Sequence, residues 1–378
     1  MSRASAALLL GASSMFATMY STQAILPEIS SDFDVSAAVA GLTVSVVVLA
    51  VALGGWVHGP LSDRIGRRRV MVASAGLLVF PTALLGLSAG IVMLIGLRIV
   101  QGLLMPGLLV VAVPYITERF SGAVQGRAMG AYTSSLVLGG FVGRVGTGLI
   151  TEWTDWRLAL SLLAVPAGLG AAAMWRWLPA DAVTPSPHPL SHAVREHLHN
   201  GRLLLNAACA GLTFFGFVGV FTYATFRLTD PPIGLSLGEA GLVYGVWLVG
   251  LLVTPITGLA GRVGPQRVVP WLLVLSISGA LLTLADSLAL IVVGLAAMAL
   301  AMFTVVPACQ LLIPRLARHD RGTATSLHLT VYYAAGGLGG YLPGFALDRG
   351  WGTLIAVCVA SIGGGLAASL GLRATLAR

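Results

Sequence analysis

Apolar stretches of about twenty residues alternate with short polar or Gly/Pro-rich breaks along almost the whole chain. A helix needs about 20 residues to cross a membrane core of ~30 Å, whereas the strands of a membrane barrel are much shorter. The pattern therefore predicts an all-α integral membrane protein with twelve transmembrane helices. The predicted spans are 5–27, 37–58, 70–89, 91–116, 126–150, 156–178, 203–227, 238–260, 267–286, 288–313, 323–346 and 351–373.

The longest polar stretch, residues 179–202, divides these spans into two groups of six. It predicts a cytoplasmic linker between an N-terminal half, residues 1–178, and a C-terminal half, residues 203–378. Segments 125–148 and 321–344 resemble each other, with glycine or alanine at the same five aligned positions. A six-plus-six duplication is typical of alternating-access carriers, so we expect two pseudo-symmetric six-helix halves.

Composition and charge narrow the possible partners of the chain. It is 57% hydrophobic and contains 48 glycines, which allow membrane helices to approach closely. The net charge is +8, and every basic residue is an arginine. These arginines lie in short loops rather than in a basic domain, so we expect a lipid bilayer as partner and no nucleic acid.

The arginines are divided unevenly between the two sides of the predicted membrane. With the N-terminus inside, the cytoplasmic segments hold 17 arginines, and the outer segments hold three together with nine acidic residues. By the positive-inside rule, we expect both termini to be cytoplasmic. The cytoplasmic arginines include Arg64, Arg67, Arg68, Arg69, Arg119, Arg127, Arg262, Arg267, Arg315, Arg318 and Arg321, and the outer ones are Arg157, Arg227 and Arg349.

The chemistry-bearing residues do not form an enzyme site. Cys209, Cys309 and Cys358 are isolated within apolar spans and predict neither a disulfide nor a zinc site. The linker histidines lack cysteine or acidic partners in a close array, which favours a solvated loop over a metal site. No phosphate-binding loop or nucleophile–base pair appears, so we predict no enzyme, no cofactor and no ATP drive.

The segment GPLSDRIGRRRV, residues 59–70, concentrates charge between two apolar runs. Gly59 and Gly66 predict a tight cytoplasmic turn, and basic residues are expected on this side of the membrane. The fixed Asp-Arg-x-Gly-Arg pattern goes further, because it resembles the signature loop of the major facilitator superfamily. That resemblance implies a twelve-helix transporter in which the loop latches the two halves. The implied latch residues are Gly59, Asp63, Arg64, Gly66, Arg67 and Glu118.

A second motif, LRIVQG at residues 97–102, resembles the intramembrane Arg-x-x-Gln-Gly motif of the same family. Arg98 lies about seven residues into its span, or ~10 Å deep at ~1.5 Å per residue. Such an arginine faces a bundle interior or a wet cavity, or else it snorkels outward or ties helix ends together. Gln101 and Gly102, one turn later, predict a polar patch and a close helix crossing.

A third motif departs from the pattern of the family's drug antiporters, which usually carry Gly-Pro-x-x-Gly-Gly here. This chain has GRVGTG at residues 143–148, with Arg144 in place of the proline. This motif is accompanied by YSTQAILPEIS at residues 20–30 and TDWRLAL at residues 154–160. Together the three segments resemble the YnfM-like branch of the twelve-helix drug:proton antiporters. Arg98 and Arg144 at one depth would attract an organic anion. Alternatively, backbone carbonyls and glutamine satisfy each guanidinium.

Proton coupling is implied mainly by the family, because no Asp or Glu falls in the middle of a predicted span. Glu28 and Glu118 lie at span ends. His328 lies within span eleven, and histidine is the side chain that titrates near neutral pH. Its alternative role is packing or hydrogen bonding. Aromatic walls with a few polar atoms suit small organic ligands, and the candidate cavity residues of this kind are Tyr20, Gln23, Phe214, Phe215, Tyr223, Tyr332 and Tyr333.

The sequence therefore predicts a secondary transporter of the inner membrane, functional as a monomer, that exports a small organic molecule in exchange for protons. An organic-anion carrier that uses Arg98 and Arg144 is the main alternative. A membrane sensor or scaffold without transport is the alternative from a different class.

Overall fold

A computed structural model of the chain describes residues 2–180, 196–253, 263–317, 319 and 321–377, with the backbone alone at 321 and 377. All regular structure in these ranges is helical. The chain also contains 3₁₀ segments at Ser21–Ile25 and Tyr244–Leu252. The α-helices are α1 (Arg3–Tyr20), α2 (Leu26–Asp32), α3 (Ala37–Ile65), α4 (Arg67–Leu84), α5 (Ile91–Leu104), α6 (Pro106–Leu109), α7 (Ala112–Arg119), α8 (Gly122–Trp153), α9 (Trp156–Leu162), α10 (Ala164–Trp177), α11 (Gly201–Thr229), α12 (Leu237–Val243), α13 (Pro265–Leu282), α14 (Leu288–Leu316), α15 (Arg321–Gly339), α16 (Gly344–Leu347) and α17 (Trp351–Ala377).

Each predicted span contains helix at the expected place. Within the described ranges, nine helices are long and apolar enough to cross a membrane. Predicted span 5–27 is divided between α1, a 3₁₀ segment and part of α2, so no single helix covers it. Span 238–260 continues into residues that the structure does not describe, and span 323–346 is divided between α15 and α16.

Contacts group the chain into two compact units. Unit 1 comprises Met1–Val35, Leu42–Pro187 and Leu235–Gly245. Its centre is α1, which packs along α8 and α10. Gly143 of α8 permits this approach, because a Cβ atom there would overlap the carbonyl oxygen of Ala17.

Unit 2 comprises Ser36–Gly41, His188–Gly234 and Val246–Arg378. Its centre is α11, which packs along α15 and α17. A Cβ atom at Gly339 of α15 would overlap the carbonyl oxygen of Phe215 in α11. Gly143 and Gly339 are aligned in the sequence repeat, so the repeated segments make the same kind of backbone contact, each in its own unit.

The predicted turn in the charged loop begins later than expected. Gly59 was expected to open it, but α3 runs through Gly59 and Pro60 and ends at Ile65. Proline removes one helical hydrogen bond, yet the next turn closes again, with the Ser62 hydroxyl donating to the carbonyl of Gly59 over 2.7 Å. The turn is made by Gly66, whose φ of 100° favours glycine.

Several residues of the sequence analysis lie outside the described residues. Most of the predicted linker belongs to this group, and the remainder ends at Asn200, whose side chain caps the N-terminus of α11. The other residues concerned are His188, His192, Arg262 and Arg318.

Candidate functional site

The first predicted span is interrupted in its C-terminal third. α1 ends at Tyr20, residues Ser21–Ile25 form a 3₁₀ turn, and α2 begins at Leu26. Backbone carbonyls at such an interruption need partners inside the protein, because lipid offers none. Side chains from other spans supply them. We refer to Ser21–Ile25 and the three residues before it, Thr18, Met19 and Tyr20, as the span-one break.

Arg98 of α5 is the main partner of these carbonyls. Its side chain is fully buried, and its Nη1 and Nη2 donate to the carbonyls of Thr18 at 2.8 Å and Met19 at 2.6 Å. Nε donates to the carbonyl of Thr43 in α3 at 2.8 Å, and Nη1 also donates to Gln101 Oε1 at 2.8 Å. One planar guanidinium thus ties spans one, two and four together.

The sequence left two structural roles open for Arg98, snorkelling outward and tying helices together, and the structure distinguishes between them. Arg98 does not snorkel outward, because none of its surface is exposed. It does tie helices together, and its four acceptors are neutral oxygen atoms. Arginine keeps its charge even when buried, so a fixed positive charge lies inside unit 1.

Gln101 and Gly102 extend the same network as the sequence predicted. The amide of Gln101 accepts from Arg98 and donates from Nε2 to the hydroxyl of Thr82 in α4 at 2.9 Å. A Cβ atom at Gly102 would lie 2.5 Å from the carbonyl oxygen of Val47 in α3. The polar patch and the close helix crossing therefore both occur at this place.

Arg144 of α8 contacts the break from another direction. It is 1% exposed, and it donates from Nε to Gln23 Oε1 and from Nη1 to the carbonyl of Gly140, each at 2.7 Å. Its guanidinium carbon lies 4.5 Å from the ring centroid of Tyr20 and 5.6 Å from that of Tyr244. Ring faces attract such a cation. Arg144 is thus held by an amide, a carbonyl and two aromatic rings.

Two contacts at the break had no counterpart in the sequence analysis. The hydroxyl of Thr147 donates to the carbonyl of Ser21 at 2.9 Å. Tyr244, which begins the second 3₁₀ segment, has its hydroxyl 3.5 Å from the carbonyl of Gln23. Thr147 is three residues after Arg144 and so shares its helix face. That spacing could have indicated that Thr147 lies at the same site as Arg144. Tyr244 is distant in sequence, and no pattern indicated its contact with the break.

The charged loop forms an ion-pair cluster within unit 1. Arg67, the first residue of α4, donates from Nε and Nη2 to the two carboxylate oxygens of Glu118, each at 2.7 Å. Its Nη2 also lies 3.1 Å from Asp63 in the last turn of α3. Arg64 is exposed. The structure thus unites Asp63, Arg67 and Glu118, the three charged residues that the family resemblance placed together, and we call them the loop cluster.

Arg68, beside this cluster, has a capping role that the sequence did not indicate. It donates from Nε to the carbonyl of Leu178 at 2.7 Å and from Nη2 to the carbonyl of Trp175. The hydroxyl of Tyr115 donates to the carbonyl of Pro179 at 2.7 Å. Cations at a helix C-terminus satisfy its last carbonyls. The end of α10 is therefore fixed to the same loop.

In unit 2, four of the five candidate aromatic residues fall into two groups. Tyr332 stacks on Phe214 with ring centroids 4.0 Å apart, and Tyr333 meets the same ring edge-on at 6.2 Å. Tyr223 is fully buried, and its hydroxyl donates to the carbonyl of Gly340 at 2.9 Å, just after α15 ends. Tyr223 therefore closes a helix end, whereas the other three rings form one cluster.

His328 of α15 is fully buried. Neither of its ring nitrogens has a hydrogen-bond partner among the described residues. Buried polar groups are nearly always paired, so each such group calls for an explanation. The sequence left a hydrogen-bonding role open for His328, but the described residues provide no partner for it.

The remaining candidates lie near the surface of unit 1. Glu28 is exposed in α2 and lines a cavity of about 360 Å³ with Asp32, Glu152 and Asp155. Within the described ranges, no group of three or more His, Cys, Asp or Glu residues is arranged to hold a metal ion.

Comparison with known proteins identifies the family of this chain. The family model described as the Major Facilitator Superfamily matches residues 8–339. The chain is similar to the inner membrane transport protein YnfM of Escherichia coli strain K12, with 30% identity over 247 residues, covering 64% of this chain and 59% of that protein.

A shorter match and a solved structure complete the comparison. The chain is 31% identical over 159 residues to the efflux pump radE of Floropilus chiversii, covering 42% of this chain and 28% of the pump. Its fold is similar to the crystal structure of a mutant of the nucleoside transporter NupG, with a TM-score of 0.78 at 11% identity. That alignment covers 98% of this chain and 99% of NupG.

Proposed function

The chain belongs to the major facilitator superfamily of membrane transporters, and we propose that it exports a small organic molecule in exchange for protons. Members of this family are carriers rather than enzymes. The observation that carries the proposal is the span-one break, with Arg98 and Arg144 held against it. In secondary transporters, substrate and ion sites are typically formed by interrupted helices, whose polar backbone lines the site.

The side chains around the break suit an organic substrate. Tyr20 and Tyr244 present ring faces and Gln23 presents an amide, all within unit 1 around the guanidinium of Arg144. Aromatic surface with a few fixed polar groups is typical of small-molecule sites. We propose that substrate contacts these residues of unit 1.

His328 is the proposed proton carrier. An imidazole binds or releases a proton near neutral pH. The two ring nitrogens of His328 have no hydrogen-bond partner among the described residues, so no protein contact there fixes their protonation. Glu28, Glu118 and Asp63 are less suited, because they lie in exposed or partly exposed segments.

The outward direction of transport rests on similarity. Residues of this chain match part of a protein named as an efflux pump, and the sequence resembles the YnfM-like branch of the twelve-helix drug:proton antiporters. The loop cluster is proposed as the conformational latch, since its ion pairs join the ends of α3, α4 and α7. We further propose a monomer with halves 1–178 and 203–378, a linker at 179–202 and cytoplasmic termini.

The test is transport by the purified protein in vesicles that contain a pH-sensitive dye. A panel of neutral, cationic and anionic organic molecules is added under an imposed pH gradient, with protein-free vesicles as the control. We expect at least one molecule to move protons in the opposite direction, and His328→Gln to transport it without moving protons. Proton movement in His328→Gln equal to that of the unmodified protein would reject the role of this residue.

A carrier of organic anions is the second candidate. It is favoured by the neutral acceptors of Arg98, which leave its positive charge without a carboxylate partner in those contacts. The same panel separates the candidates, because this carrier would move only anionic members. Absence of flux for every member would favour a non-transporting sensor or scaffold.

A further inference from the structure

Two adjoining cavities occupy the end of unit 2 at which α11 begins and α14 ends. One has a volume of about 400 Å³ and the other about 740 Å³, and both are lined by His199, Asn200 and Arg202. They differ in the rest of their lining. The first is polar and charged, whereas the second runs along Leu204, Leu205 and Ala208 of α11.

The smaller cavity, here called the head cavity, carries an excess of positive charge. Arg202 and Arg315 line it together with three histidines, His197, His199 and His319, and one acid, Glu196. Among the described lining residues, two permanent positive charges thus face one negative charge, even when every histidine is neutral. Paired arginines are the side chains that bind phosphate groups, through parallel N–H donors.

Its geometry is held by contacts between helices. Arg202 donates from Nη2 to the carbonyl of Thr375 in α17 at 2.7 Å. Asn200 donates from Nδ2 to the carbonyl of Leu316 in α14 at 2.9 Å, and its Oδ1 accepts from the backbone N–H of Leu203 at 3.1 Å. The start of α11 is therefore fixed to α14 and α17, and the head cavity is a built feature of unit 2.

The larger cavity, here called the tail groove, continues from the head cavity along apolar surface. Leu204, Leu205 and Ala208 are each only partly buried, so the groove is open along one side. A free phosphate ion would use the head cavity alone. A molecule with a phosphate at one end and a hydrocarbon chain at the other would use both, and basic pockets between helices at the cytoplasmic surface suit such lipids.

We propose that this end of unit 2 binds one anionic phospholipid, with its phosphate between Arg202 and Arg315 and an acyl chain along Leu204, Leu205 and Ala208. The charge of the head cavity selects an anionic headgroup over a zwitterionic one. The proposal does not depend on the transported substrate or on proton coupling, and the leaflet follows from the arginine-rich side of the membrane.

The full-length protein in detergent tests the proposal by native mass spectrometry, which counts bound lipids, and by thermal unfolding. The ligands are phosphatidylglycerol, phosphatidylcholine with the same acyl chains, and inorganic phosphate. We expect phosphatidylglycerol to bind roughly tenfold or more tightly than either of the others. It alone combines a headgroup of net negative charge with acyl chains. Equal binding of phosphatidylcholine, or equal stabilisation by inorganic phosphate, would overturn the proposal.

Two variants assign the binding to this place. Arg202→Gln/Arg315→Gln should weaken phosphatidylglycerol binding roughly tenfold or more, since each arginine near a headgroup contributes to its affinity. Ala208→Trp fills the tail groove and should weaken the lipid without changing the response to phosphate. Arg3→Gln/Arg349→Gln changes the net charge equally and is the control. Unchanged lipid binding in the first variant, or an equal loss in the control, would contradict the assignment.

Discussion

Arg98 donates a hydrogen bond from Nε to the carbonyl oxygen of Thr43 over 2.8 Å, across 55 positions of sequence. The same guanidinium holds the carbonyls of Thr18 and Met19. A buried arginine is therefore part of the framework that shapes span one.

Replacing Arg98 should damage stability and transport together. Arg98→Ala leaves buried carbonyls without donors and should cost about 3–5 kcal/mol of unfolding free energy, the range for breaking a buried polar pair. Arg98→Lys should be nearly as harmful, because one ammonium nitrogen cannot reach acceptors on three spans. Thermal unfolding and vesicle flux measure both, with exposed Arg349→Lys as the control. If Arg98→Lys retains most of the stability and flux, the planar fork is not what matters.

Gln23 and Arg144 should be energetically coupled. Their 2.7 Å contact is a charge-assisted hydrogen bond with both side chains buried, so it should be stronger than a neutral one. We expect a double-mutant cycle of Gln23→Ala and Arg144→Met to give a coupling of about 1–3 kcal/mol in thermal stability. A cycle of Gln23→Ala with Arg349→Met is the control. A coupling near zero would show that the amide does not hold the guanidinium.

The loop cluster should control transport more than stability. Asp63 and Arg67 are partly exposed, and such ion pairs contribute only about 0–1 kcal/mol. Asp63→Asn should therefore leave the unfolding temperature almost unchanged while it slows flux, with substrate affinity only modestly altered. Flux is compared at equal protein per vesicle, with exposed Asp348→Asn as the control. Normal flux in Asp63→Asn would show that residues 59–70 serve only to fix the membrane topology.

Gly143 should not tolerate a methyl group. Gly143→Ala places a Cβ atom in steric overlap with the carbonyl oxygen of Ala17, so α1 and α8 must separate. We expect a loss of about 1–3 kcal/mol, as for overpacked cores. Gly146 lies one turn along the same helix with nothing within 4 Å, so Gly146→Ala is the matched control and should be neutral or slightly stabilising. Equal effects of the two would show that the helices do not cross at Gly143.

The arginine asymmetry predicts which loops face the cytoplasm. In a cysteine-free background, single cysteines at Ser186 and Gln266 should react only with reagents that enter the cell. Ser186 lies outside the described residues, and Gln266 lies in the first turn of α13. Arg349→Cys, between α16 and α17, is the outer control and should react in intact cells. Labelling of Ser186 or Gln266 from outside would reverse the assigned orientation.

Sequence alone predicted the helical architecture well, because length and hydropathy suffice to define a span. It also predicted that Asp63, Arg67 and Glu118 belong together, and the structure brings them within ion-pair distance. The turn at Gly59 was wrong. A glycine next to a proline usually marks a break, but α3 continues through Gly59 and Pro60 to Ile65.

The span-one break could not be predicted in the same way. Ser21, Thr22 and Gln23 gave a faint signal as three polar residues in an apolar run. The acceptors that hold Arg98, however, are backbone carbonyls, and every residue carries one. Only the fold decides which carbonyls are available. The sequence could therefore predict that Arg98 is buried, but it could not predict which carbonyls accept its hydrogen bonds.

The Arg98 contacts also constrain the order of assembly during biosynthesis. The ribosome delivers Thr18 and Met19 about 80 residues before Arg98 emerges, and nascent segments settle in that order. Until then, the carbonyls of the break must be met by an unbroken helix, by water or by the insertion machinery. Span one can therefore complete its native hydrogen bonds only after span four has been inserted. A ribosome stalled before residue 98 would leave the first helix without them.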